Sequence, residues 1–379
     1  MSTSTHRHSL SRREFLYAVG GAAAAAALGP ACRLAGGVAP TGSASPTPFL
    51  PGTLPASATS PAATPTIIPA TVTPESQVGR VALIRTSDRA EGVRRALDLL
   101  GINPVEGKSV FLKPNFNSAD PAPGSTHPDT LQALVERLWE MGAQRITVGD
   151  RSGMGDTRAV MRDMGVFDIA SEFGLETVVF EDLGSEDWLP ADVPGSHWAR
   201  GFSLARPCLE AGAVVQTCNL KTHRFGGHFT LSLKNSVGLA AKAVPGEGYN
   251  YMTELHNSPA QRAMIAEVNA AYSPALIVLD GVEAFTSGGP DAGNRVEAQV
   301  VLAGVDRIAV DAVGVAILRD LGTTANVRRG RIFDQEQIAR AVELGLGVQQ
   351  PEALTILSDD APGRAYADQL RPILEGEGE

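Results

Sequence analysis

The sequence predicts a layered α/β fold, in which a mostly parallel sheet is flanked by helices. Short runs rich in β-branched residues alternate with amphipathic stretches along the chain, which is the pattern typical of this fold class. About 300 residues follow the N-terminal region, enough to bury a substantial core. We therefore expect one α/β body of two intimately packed parts over residues 79–379.

Eight short apolar segments are predicted to be strands: residues 80–84, 109–112, 145–148, 176–180, 213–217, 275–279, 298–303 and 354–357. Six amphipathic segments are predicted to be helices: residues 90–100, 128–141, 156–173, 258–271, 307–320 and 334–344. Residues 183–203, with Trp188 and Trp198 among prolines and glycines, are predicted to form an irregular loop or a small insertion.

Polar residues follow four of the predicted strands, in segments 113–115, 149–153, 219–223 and 280–281. Ligands of open α/β sheets bind outside the carboxyl ends of the strands. A single aspartate in such a place is more often a helix cap or turn former than a catalyst. Four such segments in one chain predict a site at one edge of the sheet.

Residues 1–34 are predicted to be a twin-arginine signal peptide. Arg12 and Arg13 precede an alanine-rich apolar run, residues 15–28, that is shorter than the ~20 residues needed to span a bilayer. An ordinary N-terminal helix would not explain the paired arginines and the low-complexity segment that follows. We expect a partner in the twin-arginine export machinery and a periplasmic or cell-surface location.

Cys32, near the end of this signal, is a candidate for lipid attachment, with simple cleavage of the signal as the alternative. Residues 35–78 are Ser, Thr, Pro, Ala and Gly with almost no charge, and such a composition buries too little apolar surface to fold. We predict a disordered tether, which would hold the body near a membrane surface if Cys32 is lipidated.

Composition excludes some classes of function. Beyond residue 34 the chain keeps 28 of its 32 basic and 41 of its 42 acidic residues, a net charge of −13, which argues against a nucleic-acid partner. Cys208 and Cys218 are the two cysteines of the body, so the chain has no iron–sulfur cluster motif. Two buried thiols are the favoured prediction for them, with pairing after export as the alternative.

Lysine is rare in this chain, which has 27 arginines and the five lysines Lys108, Lys113, Lys221, Lys234 and Lys242. Lys113 and Lys221 fall in the strand-end segments, and Lys234 falls in the lysine- and histidine-rich stretch 219–235. The lysine ammonium is a compact charge whose pKa responds to burial, whereas the guanidinium stays charged, so a confined site can require lysine. His223 and His228 add groups that titrate near neutral pH, while His127 and His256 are expected to be loop residues.

The body resembles the domain of unknown function 362 family. The resemblance lies in six segments in order: 111–115 (FLKPN), 149–153, 220–223 (LKTH), 230–238 (TLSLKNSVG), 279–293 and 304–311. It implies an α/β fold and the positions of a site, but no reaction. Many members carry a ferredoxin-like cluster segment, and this chain does not.

Three hypotheses for the site follow. The first is an enzyme acting on a small carboxylate or phosphate, in which lysines bind the anion and a histidine transfers protons. The second adds a divalent metal, for which His223, His228, Asp150 and Asp280 are the candidate ligands. The third is a non-catalytic extracytoplasmic protein that binds a ligand or metal.

The candidate catalytic residues are Lys221, His223, Lys234, His228 and Asp150. The candidate ligand-binding residues are Lys113, Asn115, Asn235, Asp280 and Asp306.

Local sequence refines these expectations. Helix capping is at least as good an explanation for Asp306 and Asp311 as catalysis. Gly226 and Gly227 would let the backbone pass close to the histidines. A short helix carrying Lys234 would point its N-terminus at the anion. The glycine-rich loop 288–293 would close over the ligand.

Overall fold

The structure, a computed structural model, describes residues 79–376. The predicted signal (residues 1–34), the candidate lipidation residue Cys32 and the predicted tether (residues 35–78) lie outside the described residues. No helix within residues 79–376 combines the length and the apolar character needed to cross a membrane.

Eleven strands occur in this part of the chain: β1 (Arg80–Arg85), β2 (Ser109–Lys113), β3 (Arg145–Asp150), β4 (Glu176–Val179), β5 (Trp188–Ala191), β6 (Phe202–Ala205), β7 (Ala213–His223), β8 (His228–Thr230), β9 (Leu276–Gly288), β10 (Gly293–Gly304) and β11 (Thr355–Leu357).

Twelve α-helices accompany them within residues 79–376: α1 (Arg89–Leu100), α2 (Pro128–Glu140), α3 (Thr157–Asp163), α4 (Val166–Phe173), α5 (Arg206–Leu209), α6 (Ser232–Asn235), α7 (Tyr251–Asn257), α8 (Gln261–Val268), α9 (Arg307–Asp320), α10 (Ala325–Arg328), α11 (Glu336–Glu343) and α12 (Ala361–Glu375). Short 3₁₀ turns connect several of them.

Nine strands form one continuous sheet in the order β11-β1-β10-β9-β7-β2-β3-β4, with β8 paired to β7. Strands β9, β7, β2, β3 and β4 are parallel to one another, whereas β10 is antiparallel to both of its neighbours. The predicted class, a mostly parallel sheet flanked by helices, is therefore confirmed, and one sheet runs through the whole described body.

Helices cover both faces of this sheet. Successive residues of a strand point to opposite faces, and β1 shows the result: Ala82 and Ile84 pack with α1 and α2, while Val81 and Leu83 pack with α9 and α12. A third apolar cluster includes Trp188 and residues of α7 and α8.

Several predicted elements differ from the observed ones. The predicted helix 156–173 is two helices, because Gly165 adopts φ of 73° between them. Residues 183–203 are more regular than predicted, since β5 and β6 pair as an antiparallel two-stranded sheet. The C-terminal helix α12 was not predicted. Its N-terminus is capped by Asp360, whose carboxylate accepts from the Gly363 N–H.

The strands nearest the site are longer than predicted. Strand β7 continues to His223, and β9 continues to Gly288, where it turns into β10. Lys221 and His223 therefore belong to the end of a strand, whereas Asp280 lies in the middle of one.

Candidate functional site

A cavity of about 130 Å³ opens at the carboxyl ends of β2, β3 and β7. Seven of the predicted site residues line it: Lys113, Asn115, Asp150, Lys221, His223, Lys234 and Asn235. We call it the lysine cavity. Helix α6 closes one side of it, and Pro290, from the turn between β9 and β10, closes another.

A buried ion pair forms part of the floor of the lysine cavity. Lys113 Nζ lies 2.7 Å from Asp150 Oδ1, and both side chains are almost fully enclosed. Asp150 also accepts hydrogen bonds from the backbone N–H groups of Phe116 (2.8 Å) and Arg151 (2.6 Å). Because its oxygens are engaged in this way, Asp150 holds Lys113 in place and has little capacity left for a ligand.

Two asparagines connect this pair to Lys221. Asn235 Oδ1 accepts from Lys113 Nζ (3.2 Å) and from Asn115 Nδ2 (3.0 Å), and Asn115 Oδ1 accepts from Lys221 Nζ (2.8 Å). A single network thus joins the ends of β2, β3 and β7 to helix α6. Connected buried polar groups of this kind rigidify a site when each member is satisfied.

Lys221 is fully buried, and three oxygen acceptors surround its ammonium group. These are Asn115 Oδ1, the Gly124 carbonyl and the Pro290 carbonyl, the last at 3.2 Å. All three donors of the ammonium are used within the protein. Lys221 therefore fixes the loop around Gly124 and the β9–β10 turn against β7.

Lys234 differs from these lysines because it has no hydrogen-bond or ion-pair partner among residues 79–376. Its side chain lies within the cavity walls and lines the lysine cavity. Space for it depends on Gly227, where an added Cβ would lie 2.6 Å from Lys234 Cε and 3.1 Å from His223 Nδ1. The Gly226–Gly227 segment therefore brings the backbone close to Lys234 and His223. We had predicted a close approach to His223 and His228.

His223, the last residue of β7, is buried, and its Nδ1 has no partner among the described atoms. Burial, with the nearby charges of Lys234 and Lys221, holds the pKa of His223 well below its usual value, so the imidazole is neutral. Thr230 Oγ1 and Asn117 Nδ2, from two other residues that line the cavity, are also buried without a partner. Unsatisfied buried groups are uncommon and often mark a ligand or water site.

Two lysines of the cavity, Lys221 and Lys234, have pKa values lowered toward neutrality. Burial and the charge of Lys234 lower the pKa of Lys221 to about 7, and burial and Arg151 lower the pKa of Lys234 to about 8. The positive charge of each ammonium group disfavours protonation of the other. The oxygen acceptors of Lys221 favour a proton there, whereas Lys234 has no acceptor to stabilise its charge.

Helix α6 carries Lys234 and Asn235, and the carboxylate of Asp311 holds its first turn. The backbone N–H groups of Ser232 (2.7 Å) and Leu233 (3.1 Å) donate to Asp311. The predicted attraction of this helix N-terminus for a ligand is therefore wrong, because Asp311 already occupies it. Burial raises the pKa of Asp311 to about 8.

Gly238 follows α6 and permits its close approach to the ion pair. A Cβ added at Gly238 would lie 2.7 Å from Lys113 Cε and 2.8 Å from Asp150 Oδ1. Contacts this short force atoms to move, so any other residue here would displace Lys113 or Asp150.

Three candidate site residues lie outside the lysine cavity. Asp280 accepts from Arg89 Nε (2.9 Å) and Thr130 Oγ1 (2.7 Å) of α1 and α2. Asp306 caps α9 through the N–H groups of Ile308 and Ala309, which confirms the capping explanation. His228 stands opposite His223 in the β7–β8 pairing, but its half-buried side chain does not line the cavity.

The four candidate metal ligands are not gathered together. Asp150 and His223 line the lysine cavity, whereas Asp280 and His228 do not. No group of three or more His, Cys, Asp or Glu side chains placed to hold a metal ion occurs within residues 79–376. Cys208 and Cys218 are buried free thiols, as predicted.

Sequence reasoning missed several lining residues, among them Arg151, Asn117, Thr230 and His256. Arg151 is buried and donates to the carbonyls of Ala240 and Val237, both at 3.0 Å. Arg151 directly follows the candidate residue Asp150 in the sequence, and this position indicated that Arg151 lies at the site. His256 was expected to be a loop residue, but it lies on α7, and no local signal marked it.

The fold and the site define an α/β protein with a cationic cavity at its strand ends. The family model described as "Domain of unknown function (DUF362)" matches residues 110–316, more than half of the chain, and the chain belongs to this family. The matched residues include every lining residue of the lysine cavity.

One relative of this chain, from Synechocystis sp., is the thylakoid-associated protein sll1697. It is 27% identical over 257 residues, which cover 64% of this chain and 75% of the relative.

Proposed function

We propose that this protein is an enzyme that binds a small anionic molecule in the lysine cavity, through a carboxylate or phosphate group. The observation that carries the proposal is Lys234, whose ammonium group has no partner among the described residues. Lys113 and Lys221 have their acceptors within the protein, so Lys234 is the enclosed lysine whose donors are available to a ligand.

The charges around the cavity support an anion. Four buried or half-buried cationic side chains, Lys113, Arg151, Lys221 and Lys234, line the cavity together with the one carboxylate of Asp150, whereas the exposed Lys242 lies at its rim. Charges act more strongly in an enclosed site than in water, and a cationic cleft concentrates anions from solution. The unpartnered Thr230 hydroxyl and Asn117 amide add neutral donors for the oxygens of the ligand.

The neutral imidazole of His223 favours an enzyme over a non-catalytic binding protein. Burial, and after it the charges of Lys234 and Lys221, lower the pKa of His223, and an anion bound beside Lys234 would offset those charges and raise that pKa. A histidine transfers protons most efficiently when its pKa is close to the working pH. A protein that only carries an anion has no need of this group.

A comparison of two lysine variants tests the proposal. Lys234→Met removes the unpartnered amine, while Lys242→Met removes an exposed lysine at the rim of the same cavity and serves as the control. The melting temperature is measured with phosphate, sulfate, acetate and succinate. We expect anion-dependent stabilisation in the wild-type protein and in Lys242→Met, and its loss in Lys234→Met. Equal stabilisation of all three proteins would overturn the proposal.

We also propose that the chain is exported by the twin-arginine route and held near a membrane, with Cys32 as the candidate anchor. The paired residues Arg12 and Arg13 support this location, as does the thylakoid association of the relative. Fractionation of cells that produce the wild-type chain or the double variant Arg12→Lys/Arg13→Lys tests it. The variant should accumulate in the cytoplasm, and unchanged export would contradict the proposal.

A further inference from the structure

Two large apolar side chains are exposed at the lysine cavity. Met154 and Phe225, with 46% and 47% of their surfaces accessible, are the exposed large hydrophobic residues of the described chain. Single exposed apolar residues are normal on protein surfaces. Here, however, both belong to the twenty residues that line one cavity, so they share a location with the unpartnered Lys234.

Neighbouring side chains hold the Phe225 ring, and a backbone hydrogen bond fixes the position of Met154 in the chain. The Arg224 guanidinium lies 4.4 Å from the centroid of the Phe225 ring, and the His223 ring meets it edge-on at 5.8 Å. The backbone N–H of Met154 donates to the Asn117 carbonyl (2.9 Å). An apolar surface that is ordered before binding loses less entropy when a ligand covers it.

The lysine cavity is too small to enclose a whole ligand of drug-like size. Its volume of about 130 Å³ is well below the roughly 300–1,000 Å³ of pockets that enclose a drug-sized molecule. Only a small group fits beside Lys234, and the remainder of a larger ligand must extend through the mouth, where Met154 and Phe225 present apolar surface.

From this arrangement we infer that the ligand is an amphiphilic anion. Its carboxylate or phosphate binds inside the lysine cavity, and its apolar group lies against Met154 and Phe225 at the mouth. This inference rests on the proposed function and adds the chemical class of the substrate. Such an anion is either a soluble molecule or a single membrane lipid, and the experiment distinguishes the two sources.

A chain-length series tests the inference on the full chain. Dissociation constants are measured for the methyl, butyl and hexyl monophosphates, and for acetate, butyrate and hexanoate, below their critical micelle concentrations. We expect binding in at least one series to tighten by about two- to fourfold for each methylene that contacts the apolar mouth. Hexylammonium, which has the same chain and a cationic head, should not bind.

Variants assign the effect to the two side chains. The double variant Met154→Ser/Phe225→Ser should bind the methyl-bearing anion like the wild-type protein but lose the gain from longer chains. The control variant Ile102→Ser, which changes a partly buried apolar residue packed against the core outside the cavity, should keep that gain. Retention of the full gain by Met154→Ser/Phe225→Ser would overturn the inference.

The outcomes separate this inference from the proposed function. Equal affinity for short and long chains refutes the apolar mouth and leaves the anion site standing. Equal binding of hexylammonium and the hexyl anions refutes the anion site, and the amphiphilic anion with it.

Vesicles of phosphatidylcholine, with and without phosphatidic acid, show whether the amphiphilic anion is a membrane lipid or a soluble molecule. If affinity increases with chain length, the vesicles then distinguish two ligands. Binding of the protein to vesicles that requires phosphatidic acid and the side chains of Met154 and Phe225 indicates a lipid. Absence of vesicle binding indicates a soluble amphiphile.

Discussion

At the scale of single residues, two lysines of one cavity have opposite roles. Lys221 donates to Asn115 Oδ1 and to the Gly124 and Pro290 carbonyls, whereas Lys234 has no partner within residues 79–376. A buried charge with acceptors holds its surroundings together, and one without acceptors costs stability. The contacts of Lys221 therefore hold its surroundings together, and Lys234 is the residue that we propose binds the ligand.

This difference predicts opposite effects on stability. Lys221→Met leaves three buried acceptors without their donor, so we expect the free energy of unfolding to fall by about 2–4 kcal/mol. Lys234→Met removes a desolvated charge with no partner, so the free energy of unfolding should stay within about 1 kcal/mol of wild type or increase. Urea denaturation measures both, and a larger loss in Lys234→Met would show that Lys234 is structural.

The rarity of lysine made it possible to predict that these lysines lie at the site, but it did not predict the role of each one. The sequence contains five lysines, and four of them line the cavity: the three candidates Lys113, Lys221 and Lys234, and also Lys242. Asp280 and Asp306 also follow predicted strands, yet they bind Arg89 and the first turn of α9. The direction of a side chain relative to the sheet depends on pairing register, which local patterns do not specify.

At the scale of elements, the placement of α6 depends on α9. The carboxylate of Asp311, on α9, accepts the first two N–H groups of α6 and so positions Lys234 and Asn235 at the cavity. Sequence alone indicated a cap near Asp311, but it could not show that the capped helix is α6, because the two residues that donate lie about 80 positions earlier.

The pKa of Asp311 predicts a pH-dependent stability. Burial raises this pKa from 3.8 in the unfolded chain to about 8 in the folded state. The folded state therefore binds this proton more tightly, and the resulting stability is fully present below pH 4 and is lost as the pH rises toward 8.

The variant Asp311→Asn cannot ionise, and its fold should be less sensitive to pH. We expect the free energy of unfolding to fall less between pH 5 and pH 8 in Asp311→Asn than in the wild-type protein, in urea titrations at both pH values. An identical decrease in the two proteins would show that Asp311 is not the responsible group.

The positions of the parallel strands were the most predictable feature of the fold, and the lengths of these strands were the least predictable. Alternation of apolar runs with amphipathic stretches correctly indicated β2, β3 and β4 and the first parts of β7 and β9. The extension of β7 to His223 depends on pairing with β8 and β9, which are remote in sequence or separated from it by a turn. Hydrogen bonds to other strands, rather than local propensity, decide where such strands end.

At the scale of the whole molecule, a strongly acidic body surrounds a cationic cavity. The chain has a net charge of −10, yet the cavity lining has five cationic side chains and one carboxylate. Desolvation lowers the pKa of Lys221 to about 7 and that of Lys234 to about 8, so the cavity loses positive charge in the physiological range.

Anion affinity should therefore decrease with rising pH. Sulfate keeps the same charge between pH 6 and pH 9, so a change in its affinity reports on the protein. We expect sulfate to bind about tenfold more weakly at pH 9 than at pH 6, because most Lys234 amines are then neutral. Calorimetric titrations across this range measure the effect. Affinity that stays constant would mean that neither lysine contributes charge to the site.

Proton uptake during anion binding tests the central claim most directly. An anion beside Lys234 stabilises its ammonium form, so at pH 8 binding should draw protons from the buffer. Calorimetric titration of the tightest-binding anion in two buffers with different ionisation enthalpies counts those protons. We predict net uptake by the wild-type protein and by Lys242→Met, and neither tight binding nor uptake by Lys234→Met. Binding without proton uptake, with equal affinity in Lys234→Met, would contradict the assignment of Lys234 as the anion-binding residue.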